Sequence, residues 1–278
     1  MLASVCLRSP ANRDRHPPQI TYGTRARRLG RSRAIMLFSA MSALVLTAAL
    51  AGPPAMSATT SGSSAPASDT ARTWNLVFRD DFNGTAINKS KWVVYNNPGQ
   101  RAAENVIVNN GTLKLRTKKI DGIWRPGGIG GSKNVIQTYG KYIARVRMGV
   151  GFGVRACALL WPYADPWPPE VDFYELSAND PNRTINRMTD HFGPPHRMIH
   201  RSWPGDYRQW HNVGVEWTPT ALKFTLDGVV VQTITERVPA QKMWLGLQSG
   251  LGSGATAPNG TTPPFVDMEV DYVEIYSY

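Results

Sequence analysis

The sequence predicts an all-β protein, a two-sheet antiparallel β-sandwich, on three observations. Short runs of residues alternate apolar and polar side chains, the period of a half-buried strand. The 25 Gly and 21 Pro separate these runs at turn-like positions, and almost no stretch carries a helical period. No internal repeat is present.

Taken in order, compact structure is expected to begin at Trp74. WNLVFRD leads into DFNGTAINKSKW, with a turn at Asn83-Gly84. NVIVNNGTLKLRT is two alternating runs joined at Asn109-Asn110-Gly111, a hairpin signal. A Gly-rich loop is expected over Trp124 to Gly131, followed by the long alternating run VIQTYGKYIARVRM. Further strands are expected in GVRACALLW, TINRMTDHF, HNVGVEWT, ALKFTLDG, VVVQTI and KMWLGLQ, with a tight hairpin at Asp227-Gly228 and a turn or loop around Asp180 to Arg187. In the last strand, PFVDMEVDYVEIYSY, Val266, Met268, Val270, Tyr272 and Val273 alternate with acids.

One strand needs a separate account. WPPEVDFYELSAND places Glu170, Asp172 and Glu175 among Val171, Phe173, Tyr174 and Leu176. Isolated charges are costly to bury, so three carboxylates on an apolar strand require a reason. Side chains alternate, so Glu170 and Asp172 share a face and Glu175 would fall on the other. A β-bulge between Asp172 and Glu175 restores all three to one side, and bulges are common beside active sites. Three acids crowded together cannot all ionise cheaply, so at least one pKa should rise. Surface decoration of a half-exposed strand is the alternative.

Charge and composition narrow the function. The formal net charge of +11 suggests nucleic acid, but eight of the 31 basic residues and one of the 20 acids lie in residues 1–58. The remainder carries 23 against 19, a net of +4, so no nucleic-acid partner is expected. Residues 1–58 read as a leader containing a secretory signal: a basic region from Arg25 to Arg33, an uncharged apolar stretch from Ala34 to Ala51, and small residues up to Ala58 that suit cleavage. A secreted, extracellular protein with no membrane association after cleavage is expected; an uncleaved anchor is the alternative. Residues 59–73 are expected to be a flexible linker rich in Ser, Thr, Ala, Pro and Gly, and 74–278 the β-sandwich domain. Cys6 leaves with the leader, and Cys157, in the run ACALLW, reads as a small core residue.

The acidic strand, Glu170-Val171-Asp172-Phe173-Tyr174-Glu175, resembles the E-x-D-x-x-E signature of glycoside hydrolase family 16. FRDDFNGTAINKSKW, TYGKYIARVRMGVGFG, WHNVGVEWTPTALKFTLDGVVV and VDYVEIY resemble further family segments in the same order, so the likeness covers nearly all of Trp74 to Tyr278. It implies a concanavalin-like jelly roll with a concave cleft and retaining hydrolysis of β-1,3 or mixed β-1,3/1,4-glucan. By the same likeness Glu170 is the nucleophile, Glu175 the general acid/base and Asp172 the acid that tunes the pair. Retention needs two carboxyl groups roughly 5 Å apart, one ionised and one protonated. A same-fold β-galactanase or transglycosylase, and a non-catalytic carbohydrate-binding sandwich, are the alternatives. A monomer is expected.

Trp161, Trp167, Trp124 and Trp203 lie in or beside predicted loops, where indoles can stack on sugar rings, whereas Trp74, Trp92, Trp217 and Trp244 are expected in the core. His191 matches a family histidine that lines the cleft. Arg155 is placed to meet substrate or a neighbouring acid. The pattern departs from the family at Pro169, where Gly is usual, and at Gly153 to Trp161, which lacks the first Trp of the common G-x-W-P-A-F-W. No cofactor is required and no metal ligand is assigned. Many relatives hold a structural calcium to which Asp80 or Asp267 would contribute, but their spacing does not show one.

Overall fold

The computed structural model describes residues 73–97, 100–164 and 166–278. The expected leader, and the linker up to Arg72, lie outside the described residues. The first half of the domain contains β1 (Asn75–Asp80), β2 (Val93–Val94), β3 (Val106–Asn109), β4 (Thr112–Ile120), β5 (Ile123–Pro126), β6 (Gly128–Gly130), β7 (Gly140–Met148) and β8 (Val154–Pro162). The second contains β9 (Glu170–Leu176), β10 (Ile185–Phe192), β11 (Arg197–Pro204), β12 (His211–Trp217), β13 (Leu222–Leu226), β14 (Val229–Ile234), β15 (Met243–Leu251) and β16 (Phe265–Ser277).

These strands form the two antiparallel sheets expected. One runs β14-β13-β12-β7-β16-β4-β3, with β1 also on β16 and β5 on β4; the other runs β11-β10-β9-β8-β15-β6-β2. The predicted hairpins are present at Asn110-Gly111 and Asp227-Gly228, each with both residues at positive φ, the twist that matches a two-residue connection. The core between the sheets takes Tyr142, Ala144, Val146 and Met148 of β7, at strict alternation, and Val171, Phe173, Tyr174 and Leu176 of β9, where one adjacent pair breaks it. A second buried cluster of Tyr95, Cys157, Leu159, Trp161 and Trp244 covers the other face of the seven-stranded sheet.

Three expectations require correction, and β11 carries none. The Gly-rich loop is instead strands β5 and β6. A Cβ on Gly128 or Gly130 would stand 2.6 Å from the Tyr95 ring or hydroxyl, so these glycines mark close packing rather than a turn. RMIHRSWP, which carries no strong alternation, is the edge strand β11, and an edge needs less burial than an interior strand. The irregularity between Val270 and Tyr272 gives the core positions to Val273 and Ile275, and Tyr272 turns out to bond Asn212. Trp74 is only half buried, 5.9 Å from Tyr278, because it lies at the outer end of β1; Trp92, Trp217 and Trp244 are buried.

The acids of β16 pair with bases on its neighbours. Arg116 forms two hydrogen bonds with Asp267 at 2.8 Å each, Arg147 meets Glu269 and Arg145 meets Asp271. Asp80 accepts from Trp92 Nε1 at 2.8 Å and from the Phe82 amide. Both suggested calcium contributors are therefore engaged by protein groups.

Asp190 of β10 points toward the core, fully buried, with neither carboxylate oxygen hydrogen-bonded. Burial pushes its pKa up to about 7, opposed by nearby His191. A raised carboxyl means the folded state holds the proton more tightly, so stability is lost as pH rises from about 4 toward 7. Asp190→Asn is therefore expected to raise the melting temperature at pH 8 by several degrees and to change it little at pH 4. An equal effect at both pH values would contradict this account.

Candidate active site

The three acids lie together on β9. Phe173 and Tyr174 both face the core, and the register confirms the extra residue. Thr189 of β10 pairs with Asp172 and Arg187 with Glu175, leaving Met188 alone against Phe173 and Tyr174. On the opposite side Ala158 pairs with Tyr174 and Leu159 with Asp172. This is the predicted bulge, and it returns Glu175 to the face carrying Glu170 and Asp172. Asn186 braces it: its Oδ1 accepts from the Glu175 amide at 2.8 Å and its Nδ2 donates to Phe173 O.

Each carboxylate has its own partners. Trp167 Nε1 donates to Glu170 Oε2 at 2.7 Å, whereas Glu170 Oε1 is buried with no hydrogen-bond partner. Asp172 accepts at both oxygens, from Cys157 Sγ at 3.0 Å and from His191 Nε2 at 3.0 Å. Thr189 Oγ1 donates to Glu175 Oε2 at 3.2 Å. Glu170 is fully buried, Asp172 nearly so, and Glu175 is 7% exposed. Burial, followed by the Asp172 charge, pushes the Glu170 pKa well above the usual carboxylate range; His191 and the Trp167 N–H oppose the rise.

Oxygens of Glu170 and Asp172 and a ring nitrogen of His191 lie within 4.8 Å of one another. A hydrogen bond joins His191 to Asp172 inside that group, so the spacing follows from the protein's own contacts and no ion is needed to explain it.

The structure divides the predicted sugar-contacting residues. Trp167 and His191 stand beside the triad, with ring centroids 6.0 Å apart. Trp161 is on the same face but only 2% exposed, packed with Cys157, Leu159 and Trp244; it supports the site from below and offers no open ring face. Trp203 packs against the inter-sheet core because its position on β11 faces inward, opposite Asn186. Trp124 belongs to the other sheet, opposite Lys119 on β4. Arg155 lies over Gly250 of β15, on the triad's face of the sheet.

Thr189, Asn186 and His196 went unnoticed in the sequence, which reads Cys157 only as a small core residue. Thr189 was within reach, since alternation places it on the same face as His191. Cys157 is buried as expected, but against Asp172 rather than in the main core.

Residues 96–273 match the family model described as Glycosyl hydrolases family 16. The chain belongs to glycoside hydrolase family 16. Among relatives, it is 27% identical over 143 residues to the endo-1,3-1,4-beta-glycanase EglC of Rhizobium meliloti (strain 1021), covering 51% of this chain and 31% of that protein. It is 25% identical over 181 residues to ExsH of the same organism, also described as an endo-1,3-1,4-beta-glycanase, covering 61% and 39%. The family 16 chain thus spans about a third of the length of these curated relatives. The laminarinase catalytic domain of Thermotoga maritima MSB8 shares the fold with a TM-score of 0.65 at 19% identity, over 74% of this chain and 99% of that one.

Proposed function

We propose that this family 16 protein is a secreted, retaining endo-β-glucanase acting on β-1,3 or mixed β-1,3/1,4-glucan. The observation that carries the reading is the bulge that gathers Glu170, Asp172 and Glu175 on one face. Both Rhizobium relatives are described as endo-1,3-1,4-beta-glycanases, which supports the substrate class. The basic and apolar segments of residues 25–58 support export.

In this reading the Glu170 carboxylate attacks the anomeric carbon while Glu175 gives its proton to the departing glycosidic oxygen. An α-linked glycosyl ester forms on Glu170. Glu175, now ionised, takes a proton from water; the water oxygen attacks the same carbon, the ester bond breaks, and a β-configured sugar leaves. The bond from Trp167 to Oε2 orients Glu170, and the unpartnered Oε1 is the oxygen available for attack. Asp172, held at both oxygens, contributes a fixed negative charge between the two.

Product analysis on laminarin, lichenan, barley β-glucan and a β-1,4-galactan, followed by ¹H NMR of newly formed reducing ends, tests this function. β-Anomeric oligosaccharides from at least one glucan are expected first. Initial α-anomers would exclude retention. Binding without cleavage on every substrate would turn the assignment to a carbohydrate-binding sandwich.

A further inference from the structure

The proposed nucleophile must ionise although burial and Asp172 hold its proton. The residues around His191 supply a counterweight. His191 is 1% exposed and spans two partners, Nε2 to Asp172 Oδ2 at 3.0 Å and Nδ1 to His196 Nε2 at 2.9 Å. The imidazoles stack, with centroids 5.2 Å apart and planes at 21°. His196, only half buried, also packs on Trp167 at 4.4 Å, and Trp167 bonds Glu170. His196 thus reaches Asp172 through one contact chain and Glu170 through another.

We propose that His196 is a positioning residue of this site, forming with His191 a dyad that holds a single positive charge beside Glu170 and Asp172. The proposal rests on the glycosidase reading of the triad. Asp172 accepts only, so His191 Nε2 carries hydrogen. The second His191 nitrogen then has two options. In the neutral pair it accepts from His196 Nε2–H. In the charged pair it donates to His196 Nε2, and the His196 hydrogen moves to Nδ1. Protonating both rings would set two N–H groups against each other across 2.9 Å, which the bond cannot survive. Burial and the neighbouring His191 also hold the His196 pKa below its ordinary value, in keeping with one shared charge.

The charge favours ionised Glu170. Titratable groups beside the pair include Glu170 and Asp172 of β9, Glu175 on the same face, Cys157 of β8 through its bond to Asp172, and Asp190 on the opposite face of β10. From β11, Met198 stands opposite His191 and Arg197 opposite Phe192. Without His196 the charged form of His191 loses the acceptor for its Nδ1 hydrogen. Glu170 should then ionise only at higher pH.

The test compares His196→Ala and His196→Gln with the parent protein. For the Ala variant kcat is expected to fall roughly tenfold with KM little changed, and the acid limb of the kcat/KM profile to move up by about one pH unit. His196→Gln, whose amide oxygen can accept the same hydrogen, should recover most of both. An unmoved acid limb, or a Gln variant no better than Ala, would reduce His196 to packing. Imidazole NMR on the parent protein is read independently of turnover, with the two rings assigned by substitution. The pair should take up a single proton as the pH falls. Uptake of two with the rings still bonded would overturn the dyad. Failure to cleave any glucan beside one-proton uptake would instead count against the glucanase reading alone.

Discussion

Glu170→Gln is expected to lower glucan hydrolysis at least about 10³-fold while leaving the fold intact. The amide keeps the shape and can accept the Trp167 hydrogen bond, but it cannot form the glycosyl ester. Stability should move the other way. The Glu170 carboxyl is pushed well above its ordinary range, so the folded state loses stability as pH rises above about 4.3, and the neutral amide avoids that loss. The variant should match the parent at pH 4 and exceed it in melting temperature at pH 7. Azide separates the carboxylates by stereochemistry. With an activated β-glycoside, Glu170→Ala should give the α-glycosyl azide, because azide attacks from the side the nucleophile used. Glu175→Ala should give the β-azide by attacking the ester formed on Glu170. Full activity in Glu170→Gln, or the reverse pattern of azides, would sink the assignment.

Arg183→Met is expected to cost about 3–5 kcal/mol of folding stability, read from urea denaturation. The Arg183 guanidinium is fully buried without a carboxylate partner and donates instead to five backbone carbonyls: Gly149, Gly151, Val154, Ser177 and Asp180, at 2.7 to 3.3 Å. Burial lowers its pKa to about 10, so it stays charged at neutral pH. Replacing a buried ion pair with apolar side chains can be neutral because both partners leave, but here the carbonyls remain and lose their donors. Arg183→Lys keeps the charge but brings three donors in place of five, so partial recovery is expected. These carbonyls belong to the segment entering β8 and the turn between β9 and β10, so the loss falls on the strands that carry the triad. A loss below about 1 kcal/mol would show that water or local rearrangement satisfies the carbonyls.

Much of the fold was legible because hairpin chemistry and strand alternation are local. Asn110-Gly111 and Asp227-Gly228 need positive φ, and their residues declare it. Local signals misled where tertiary contacts set the meaning of a residue. Gly128 and Gly130 looked like loop because the reason for glycine is the Tyr95 ring, more than thirty residues earlier. Arg183 looked like an unremarkable loop residue, since its acceptors are backbone oxygens that no side-chain pattern reveals.

The sequence by itself determined the sandwich and the family likeness, and it placed three acids on one strand that share a face only if a bulge separates Asp172 from Glu175. Alternation states which neighbours share a face, and three acids out of phase with it demand one extra residue. Only the tertiary structure decided which aromatic residues attend the triad, because the two faces of a strand look alike until it is known what covers each. That is why Trp203 turned to the core and Trp161 sank beneath the site. It also decided what touches each acid. The contacts of Cys157 and Thr189, and of His196 through His191, are set by strand register and loop closure, which no run of residues encodes alone.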